Sequence, residues 1–364
     1  MKNRTLCTAV ILLVTAVLLA SVFGCTQPAP SEKTVTSTVT STETVTAKPI
    51  EMRVAFQTVA GTSWHELGVT ALPDRIDRAT DGRVKLILTS DIVAPKDELD
   101  ATGDQRVEAA WFVALYFTAV QPAIGVAAVP GMFDDEAQYV QITEDTGFAE
   151  QLSDWTLSEY NARTLVPGFT LRQIMYSNRL LDSVDDFAGF KMRVANVEQG
   201  ELMTALGASP TSVAWTELYM GLQTGVVDGA ITGLDSGYFA SFYEVVDHVA
   251  DWPPFRILNP RYFVVNEDFW QSLPDDVRSD VKNELQAISD EQVSGLKAEY
   301  DRVVELFRQE GVTVSIIDDA SEMDEARPAA TEVGNAWLER AKEANWQWTP
   351  EMTDYLTERG YTLP

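Results

Sequence analysis

The chain has 364 residues, and its 55 acidic side chains outnumber its 27 basic ones, which gives a formal net charge of −28 at pH 7. This charge repels phosphate backbones and anionic lipid headgroups, so nucleic acid and acidic membrane surfaces are excluded as partners. The chain is longer than a single hydrophobic core usually supports, and two domains are therefore expected.

The first 25 residues predict an export signal. A basic start at residues 1–4 precedes an apolar run over residues 9–23, which is shorter than the about 20 residues that a membrane span needs. The run ends at Cys25, and residues 22–25 resemble the site at which bacterial lipoproteins are cleaved and acylated. The sequence predicts a lipid anchor on Cys25. Ordinary secretory cleavage nearby is the alternative, and either event exports the protein.

Residues 26–49 are predicted to form a disordered tether. The segment is rich in Thr, Ser, Val and Pro and contains no aromatic side chain. Such a composition cannot bury enough apolar surface to offset the entropy of ordering a chain.

The chain from residue 50 onward predicts alternating strands and helices. Strands are indicated at residues 52–56, 84–88 and 107–112, and helices at residues 62–76, with a break near Pro73, and at residues 95–102. This alternation is typical of an α/β domain with a largely parallel sheet.

Three aromatic residues lie in or near loops that follow these strands. Trp64 lies in the first loop after a strand, and Trp111 and Tyr116 lie at and beyond the end of the third strand. We expect these three side chains to face a ligand cleft. Packing in a core is the alternative for each of them, because aromatic side chains are commonly buried for their area alone.

Residues 189–231 predict a β-α-β-α-β unit that carries a binding site. Strands are expected at residues 191–195, 210–214 and 226–231, with helices at 197–206 and 217–223. Ligands of open α/β sheets bind beyond the carboxyl ends of the strands. Arg193, Trp215 and the residues after Gly229 would gather there. One cation, one flat aromatic ring and a polar loop suit a small organic anion.

A long helix is predicted near the C-terminus. Apolar residues recur at helical spacing from Val277 to Phe307, and Gly311 ends the pattern, so a helix of about 35 residues would be roughly 50 Å long. The predicted helix start has Ser272 as its N-cap. The alternative is two helices broken near Gly295. Before this segment, residues 256–266 are expected to return to the first domain as a strand.

The sequence contains no motif of an enzyme, a cofactor site or a metal site. It has two His, no G-x-S-x-G elbow, no G-x-G-x-x-G turn, no P-loop and no cluster of His and Cys. An exported hydrolase using two carboxylates is a rival interpretation. However, acid pairs such as Asp134-Asp135 are typical of turns and helix starts.

Several segments together resemble the solute-binding proteins of TRAP transporters, the tripartite ATP-independent uptake systems. The family's "R-V" strand corresponds to Arg193-Val194. Further resemblances follow in the family's order and cover roughly residues 50–310; they are residues 80–86, 129–133, 186–191, 206–210, 218–229 and 264–274.

The resemblance implies a two-lobed, periplasmic-binding-protein-like α/β fold with a hinge and a long helix crossing both lobes. Lobe I would comprise residues 50–168 and 256–274, lobe II residues 169–255 and 312–364, and the helix residues 275–311. The implied partners are a small organic acid and the membrane subunits of a TRAP permease. A receptor of an ATP-binding-cassette transporter has the same architecture and stays an alternative.

The resemblance also implies roles for five residues. In the family, the Arg at the position of Arg193 forms a bidentate salt bridge with the ligand carboxylate, for which a planar guanidinium is well suited. Arg172 would be a second ligand-facing cation, and Trp215 would cover the ligand. Thr232 stands where many members have Asn, and Asp235 is a candidate polar contact. The family's Glu, Asn and Pro around this point are missing, so the resemblance does not identify the ligand.

Overall fold

Two mixed β-sheets organise the computed structural model, which describes residues 48–90, 92–317 and 319–361. The predicted signal, Cys25 and nearly all of the predicted tether lie outside these residues. The strands are β1 (Ile50–Phe56), β2 (Val84–Ser90), β3 (Ala109–Val113), β4 (Ala162–Phe169), β5 (Gln173–Ser177), β6 (Lys191–Val194), β7 (Ser209–Ser212), β8 (Gly229–Gly233), β9 (His248–Asp251), β10 (Pro260–Asn266) and β11 (Thr313–Ile316).

Helices and short helical turns connect the strands. The α-helices are α1 (Ser63–His65), α2 (Leu72–Ala79), α3 (Glu98–Gly103), α4 (Glu136–Asp145), α5 (Phe148–Tyr160), α6 (Val197–Ala205), α7 (Leu218–Gln223), α8 (Leu234–Phe239), α9 (Glu267–Ser272), α10 (Asp275–Gln309), α11 (Ala320–Glu343) and α12 (Pro350–Glu358). A π-helical turn lies at Glu66–Thr70, and 3-10 turns lie at Pro95–Asp97, Ala114–Phe117, Pro122–Ala128, Val184–Phe187, Trp215–Glu217, Phe242–Glu244 and Pro253–Phe255.

Sheet 1 has the strand order β2-β1-β3-β10-β4. β1 is parallel to β2 and β3, whereas β10 is antiparallel to β3 and β4. The predicted return strand at residues 256–266 is therefore present as β10. The expectation of a largely parallel sheet is wrong, because β10 enters the sheet in the opposite direction after the chain has formed β5 to β9 of the second sheet.

Sheet 2 has the strand order β11-β9-β5-β8-β6-β7. The predicted β-α-β-α-β unit is confirmed as β6, α6, β7, α7 and β8, with β6 parallel to both β7 and β8. Asn196 caps α6 by accepting a hydrogen bond from the Gln199 backbone N–H at 2.9 Å. Residues 215–217 form a 3-10 turn that leads into α7.

Helix α10 runs over 35 residues without interruption and passes through Gly295, so the alternative of two helices is wrong. Its buried face follows the predicted spacing from Val277 to Phe307. Ser272 does not cap it; the Ser272 hydroxyl donates to the Phe269 carbonyl at 2.6 Å and closes α9 instead.

The helix joins both parts of the fold. Through Gln292 it hydrogen-bonds the backbone of Phe169, at the end of sheet 1, and it also packs on α8 and β11 beside sheet 2. No helix among the described residues is both long and apolar enough to cross a bilayer.

The residue limits of the two lobes stay a prediction, because Ala47–Pro364 forms one unit by its internal contacts. The C-terminal segment contacts the predicted lobe I as well as sheet 2. The hydroxyl of Tyr355 in α12 donates to the Met132 carbonyl at 2.9 Å, and the Thr349 hydroxyl donates to the Thr146 carbonyl at 2.6 Å.

Candidate functional site

The strand ends of both sheets line one cavity. Sheet 1 contributes the residues that follow β1 and β3 and those at the start of β10. Sheet 2 contributes the ends of β6 and β8, the start of β5 and the loop after β7. The lining residues are Gln57, Thr58, Val59, Val113, Leu115, Tyr116, Gln173, Arg193, Ala195, Trp215, Thr232, Ser236, Asn259 and Arg261.

Arg193 is the fixed cation of the sheet 2 side. It lies next to the end of β6 and is only 3% exposed. Its Nε donates to the Val213 carbonyl and its Nη1 to the Ile231 carbonyl, each at 3.1 Å. Burial lowers the pKa of Arg193, and the neighbouring Tyr116 hydroxyl opposes this shift. Because arginine stays protonated in proteins, the site presents a permanent positive charge in one orientation.

Trp215, Thr232 and Tyr116 lie around the same cavity. Trp215 starts the 3-10 turn after β7 and packs against Phe242, with ring centroids 5.6 Å apart. Thr232 is buried in β8 opposite Ile174 of β5. The structure therefore brings these three residues together with Arg193, as the sequence predicts; whether they contact a ligand stays a prediction.

Arg261 is a second cation on the cavity, and the sequence analysis missed it. It lies in β10 opposite Val113 and is 6% exposed. Its Nη1 donates to the Gln57 carbonyl at 2.5 Å, and its guanidinium carbon lies 5.6 Å from the centre of the Trp64 ring. Burial lowers the pKa of Arg261. A charged residue inside an otherwise apolar and aromatic strand is the signal that could have identified it, since burying a charge is costly without a partner.

Two buried carboxyl groups lie near enough to influence Arg261. Burial raises the pKa of Glu98 well above its usual range, and Arg261 opposes that shift. Burial also raises the pKa of Asp235 to about 6, against hydrogen bonds from the backbone of Ser236 and Leu171 and the charge of Arg261. Asp235 Oδ1 accepts from the Ser236 N–H at 2.7 Å, and Ser236, not Asp235, lines the cavity.

The expectation that Trp64 and Trp111 face the cleft is not met. Both are buried in the core of sheet 1, where their rings pack edge to face with centroids 4.4 Å apart. A Cβ on Gly68 or Gly168 would lie 2.3 or 2.7 Å from the Trp64 ring, so this packing is tight. Neither ring lines the cavity. Trp64 lies behind the cavity wall, where its ring packs against the guanidinium of Arg261.

Arg172 also lies away from the cavity. It lines a separate groove, where its Nε is 3.3 Å from Asp251 Oδ2, as an ion pair without hydrogen-bond geometry, and its guanidinium carbon lies 4.2 Å from the centre of the Tyr300 ring. The Tyr300 hydroxyl donates to the same Asp251 oxygen at 2.6 Å. The expected role of Arg172 as a ligand-facing cation is therefore not met in the structure, because Asp251 supplies the counter-ion that the resemblance assigned to a ligand.

Acidic residues are numerous, but they do not form a metal centre in the described part of the chain. Across residues 48–90, 92–317 and 319–361, no group of three or more His, Cys, Asp or Glu side chains is placed to hold a metal ion.

Comparison with known proteins identifies the family. Residues 56–336 match the family described as bacterial extracellular solute-binding protein, family 7. The chain belongs to this family. It is therefore a solute-binding protein and not an enzyme, and the resemblance to TRAP transporter receptors is confirmed.

Two curated relatives of this chain are known by the ligands they bind. This chain is 31% identical over 175 residues to the sialic acid-binding periplasmic protein SiaP of Vibrio cholerae. The matched segment covers 48% of this chain and 54% of that protein. It is also 33% identical over 146 residues to the C4-dicarboxylate-binding periplasmic protein DctP of Rhodobacter capsulatus. Here the matched segment covers 39% of this chain and 42% of that protein. The matches span about half the length of these curated relatives.

Comparison with a solved structure confirms the fold. A TRAP periplasmic solute-binding protein from Desulfovibrio salexigens, crystallised with orotic acid, superposes with a TM-score of 0.75. The match covers 85% of this chain and 98% of that chain at 19% sequence identity. The predicted α/β fold with two sheets and a long helix is thereby confirmed.

Proposed function

We propose that this family 7 chain is the solute receptor of a TRAP-type transporter. It captures a small organic carboxylate outside the cytoplasmic membrane and delivers it to the membrane permease subunits. The observation that carries the proposal is Arg193, a buried guanidinium held in one orientation on a cavity that both sheets line.

The hydrogen bonds of Arg193 indicate how a carboxylate would bind. Its Nε–H and one N–H of Nη1 are occupied by backbone carbonyls, and the Tyr116 hydroxyl lies next to the other N–H groups, which are those of Nη1 and Nη2 that a ligand can bind. Nη1 and Nη2 form the fork that matches the two oxygens of a carboxylate. Because the carbonyls hold the guanidinium before the ligand arrives, little side-chain entropy is lost on binding.

The position of the cavity supports a receptor that closes on its ligand. Its walls come from two sheets connected by a few chain crossings and by α10, which is the arrangement of binding proteins that close by a hinge. Closure removes water from the ion pair and strengthens it. The ligands of the two relatives, sialic acid and C4-dicarboxylates, are carboxylates and agree with this chemistry.

The proposal includes export and a lipid anchor. The signal over residues 1–25 directs the chain across the membrane, Cys25 carries the lipid, and residues 26–49 tether the receptor near its permease. The anchor has its own test, described below.

The decisive experiment compares two arginines. The ligand is first identified by mass spectrometry of small molecules that co-purify with the protein and by a thermal-shift screen of carboxylates. Its affinity is then measured by titration calorimetry. Removing one partner of a desolvated charge pair costs about 3–5 kcal/mol. Arg193→Ala should therefore weaken binding about a hundredfold to several thousandfold.

Arg172→Ala is the control, because Arg172 pairs with Asp251 away from the cavity. It should keep the wild-type affinity even if its melting temperature falls. An Arg193→Ala variant that binds within threefold of the wild type would refute the proposed anchor.

A further inference from the structure

Arg261 is a buried cation without an ionic partner in the described part of the chain. No carboxylate oxygen of residues 48–90, 92–317 or 319–361 lies within ion-pair distance of its nitrogens, and its Nε has no hydrogen-bond partner there. The Gln57 carbonyl binds one N–H of Nη1. An unpaired guanidinium in the interior is expensive, so its presence on a ligand cavity indicates an anion that is supplied from outside.

Further polar atoms beside Arg261 also lack partners. Asn259 precedes it by two residues, and Asn259 Oδ1 is buried without a hydrogen bond, while its Nδ2 donates to Thr170. Thr58 follows the residue whose carbonyl binds Arg261, and Thr58 Oγ1 is buried and unpaired as well. Both residues line the cavity. The sheet 1 wall therefore offers a cation and two unsatisfied polar groups at one place.

Arg193 stands on the wall from sheet 2, so the two guanidinium groups reach one cavity from different sheets. A monocarboxylate would neutralise Arg193 and leave Arg261 unpaired. A hydroxyl group on the ligand could accept a hydrogen bond from Arg261 but would not balance its charge. Only a ligand with a second anionic group balances the charges of both cations that line this cavity.

The carboxyl groups nearest to Arg261 do not replace this second anion. Glu98 and Asp235 are both buried, and their burial favours the uncharged form of each. Neither forms an ion pair with Arg261 in the described structure.

We propose that Arg261 is a second anion-binding residue, and that the ligand is a compact organic acid with two separated acidic groups that bridges Arg193 of sheet 2 and Arg261 of sheet 1. The inference rests on the proposed function and assigns its substrate class. It also explains why the ligand would favour closure, because each of its two acidic groups would pair with an arginine from a different sheet.

The test uses pairs of ligands that differ in one charge. Linear dicarboxylates from malonate to adipate are each compared with their monoamides, which have nearly the same shape. By titration calorimetry the wild type should bind its best dicarboxylate about 30-fold or more tightly than the matching monoamide, as expected for a lost ion pair. Arg261→Gln should reduce this ratio to about threefold or less by losing dicarboxylate affinity, and it should keep most of the monoamide affinity.

Two further variants separate charge from folding. Arg261→Lys keeps the charge and should keep a clear preference for the dicarboxylate. Arg163→Gln removes an arginine of sheet 1 that pairs with Glu267 away from the cavity, and it should leave the ratio unchanged. Should Arg261→Gln fail to fold, the wild-type ratio and Arg261→Lys decide the matter.

Equal wild-type affinity for dicarboxylate and monoamide, or an unchanged ratio in Arg261→Gln, would overturn the role of Arg261 while leaving the carboxylate receptor intact. A wild type that binds no carboxylate, or an Arg193→Ala variant that binds as the wild type does, would overturn the proposed function itself and this inference with it.

Discussion

The buried and partly buried arginines of this protein differ mainly in whether their partner is a carboxylate or a backbone carbonyl. Arg172 has Asp251 as a permanent counter-ion, and Arg163 has Glu267. Among the described residues, Arg193 has two backbone carbonyls and the neighbouring Tyr116 hydroxyl, and Arg261 has one carbonyl and an aromatic ring. Carbonyls orient a guanidinium without neutralising it. Of the arginines named here, the two that line the cavity have no carboxylate partner among the described residues, and we therefore expect these two to meet an anionic ligand.

Asp235 should make the stability of the protein depend on pH. Its pKa of about 6 in the folded protein exceeds the unfolded value of about 3.9, so the folded state binds more protons between these two values. The free energy of unfolding should therefore fall as pH rises from about 4 to about 6. Asp235→Asn removes this penalty, and its stability relative to the wild type should improve by about 3 kcal/mol between pH 4 and pH 7.5.

Urea unfolding at several pH values measures the effect of Asp235→Asn. The matched control is Asp290→Asn, which changes an exposed carboxylate on α10. A difference between Asp235→Asn and the wild type that stays constant over this pH range would contradict the assignment. Glu98 is also buried, but it is present in both proteins and cancels in the comparison.

Among the secondary-structure elements, α10 does most to connect the two sheets. The buried side chain of Gln292 binds both polar groups of the Phe169 backbone at the last residue of β4, and its Oε1 accepts from the Phe169 N–H at 2.8 Å. β4 ends where the chain leaves sheet 1 for sheet 2. The helix is thus attached to the crossing between the sheets by hydrogen bonds as well as by apolar contacts.

Gln292→Leu should destabilise the protein, because it leaves the buried N–H and C=O of Phe169 without partners. Each unsatisfied buried group costs about 1–3 kcal/mol, so a loss of roughly 2–5 kcal/mol in the free energy of unfolding is expected. Gln286→Leu is the control, since Gln286 lies on the same helix and bonds only Asp290 at the surface. Urea unfolding would refute this role of Gln292 if both variants lost the same stability.

For the molecule as a whole, acidity and export determine how the receptor meets its ligand and its permease. The net charge of −28 does not attract an anion over long distances, so we expect the affinity for an anionic ligand to come from the two buried arginines. Delivery to a permease depends on remaining near the membrane. The predicted lipid anchor on Cys25 would keep the whole receptor near the membrane.

Cys25→Ser tests the anchor. Wild-type protein expressed with its own signal should fractionate with membranes and incorporate a palmitate analogue, whereas Cys25→Ser should lose the label and most of the membrane association. Firm retention needs more than one acyl chain, since a single chain binds only marginally. Native protein that is soluble and begins at a residue other than Cys25 would show ordinary secretory cleavage instead.

Local sequence patterns were sufficient for the α/β class, the β-α-β-α-β unit, the 35-residue helix and the position of Arg193. Each of these depends on periodicity, caps and glycine turns within a short stretch of chain, or on one residue at the end of a strand. Long-range contacts were needed for the rest. Trp64 packs on Trp111 because glycines leave room for its ring. Arg172 pairs with Asp251, which lies in another strand and 79 positions later in the sequence (251 − 172). Arg261 joins Arg193 only because β10 returns to sheet 1 beside β3. Partners so distant in sequence leave no local pattern, since their meeting depends on how the two sheets are assembled.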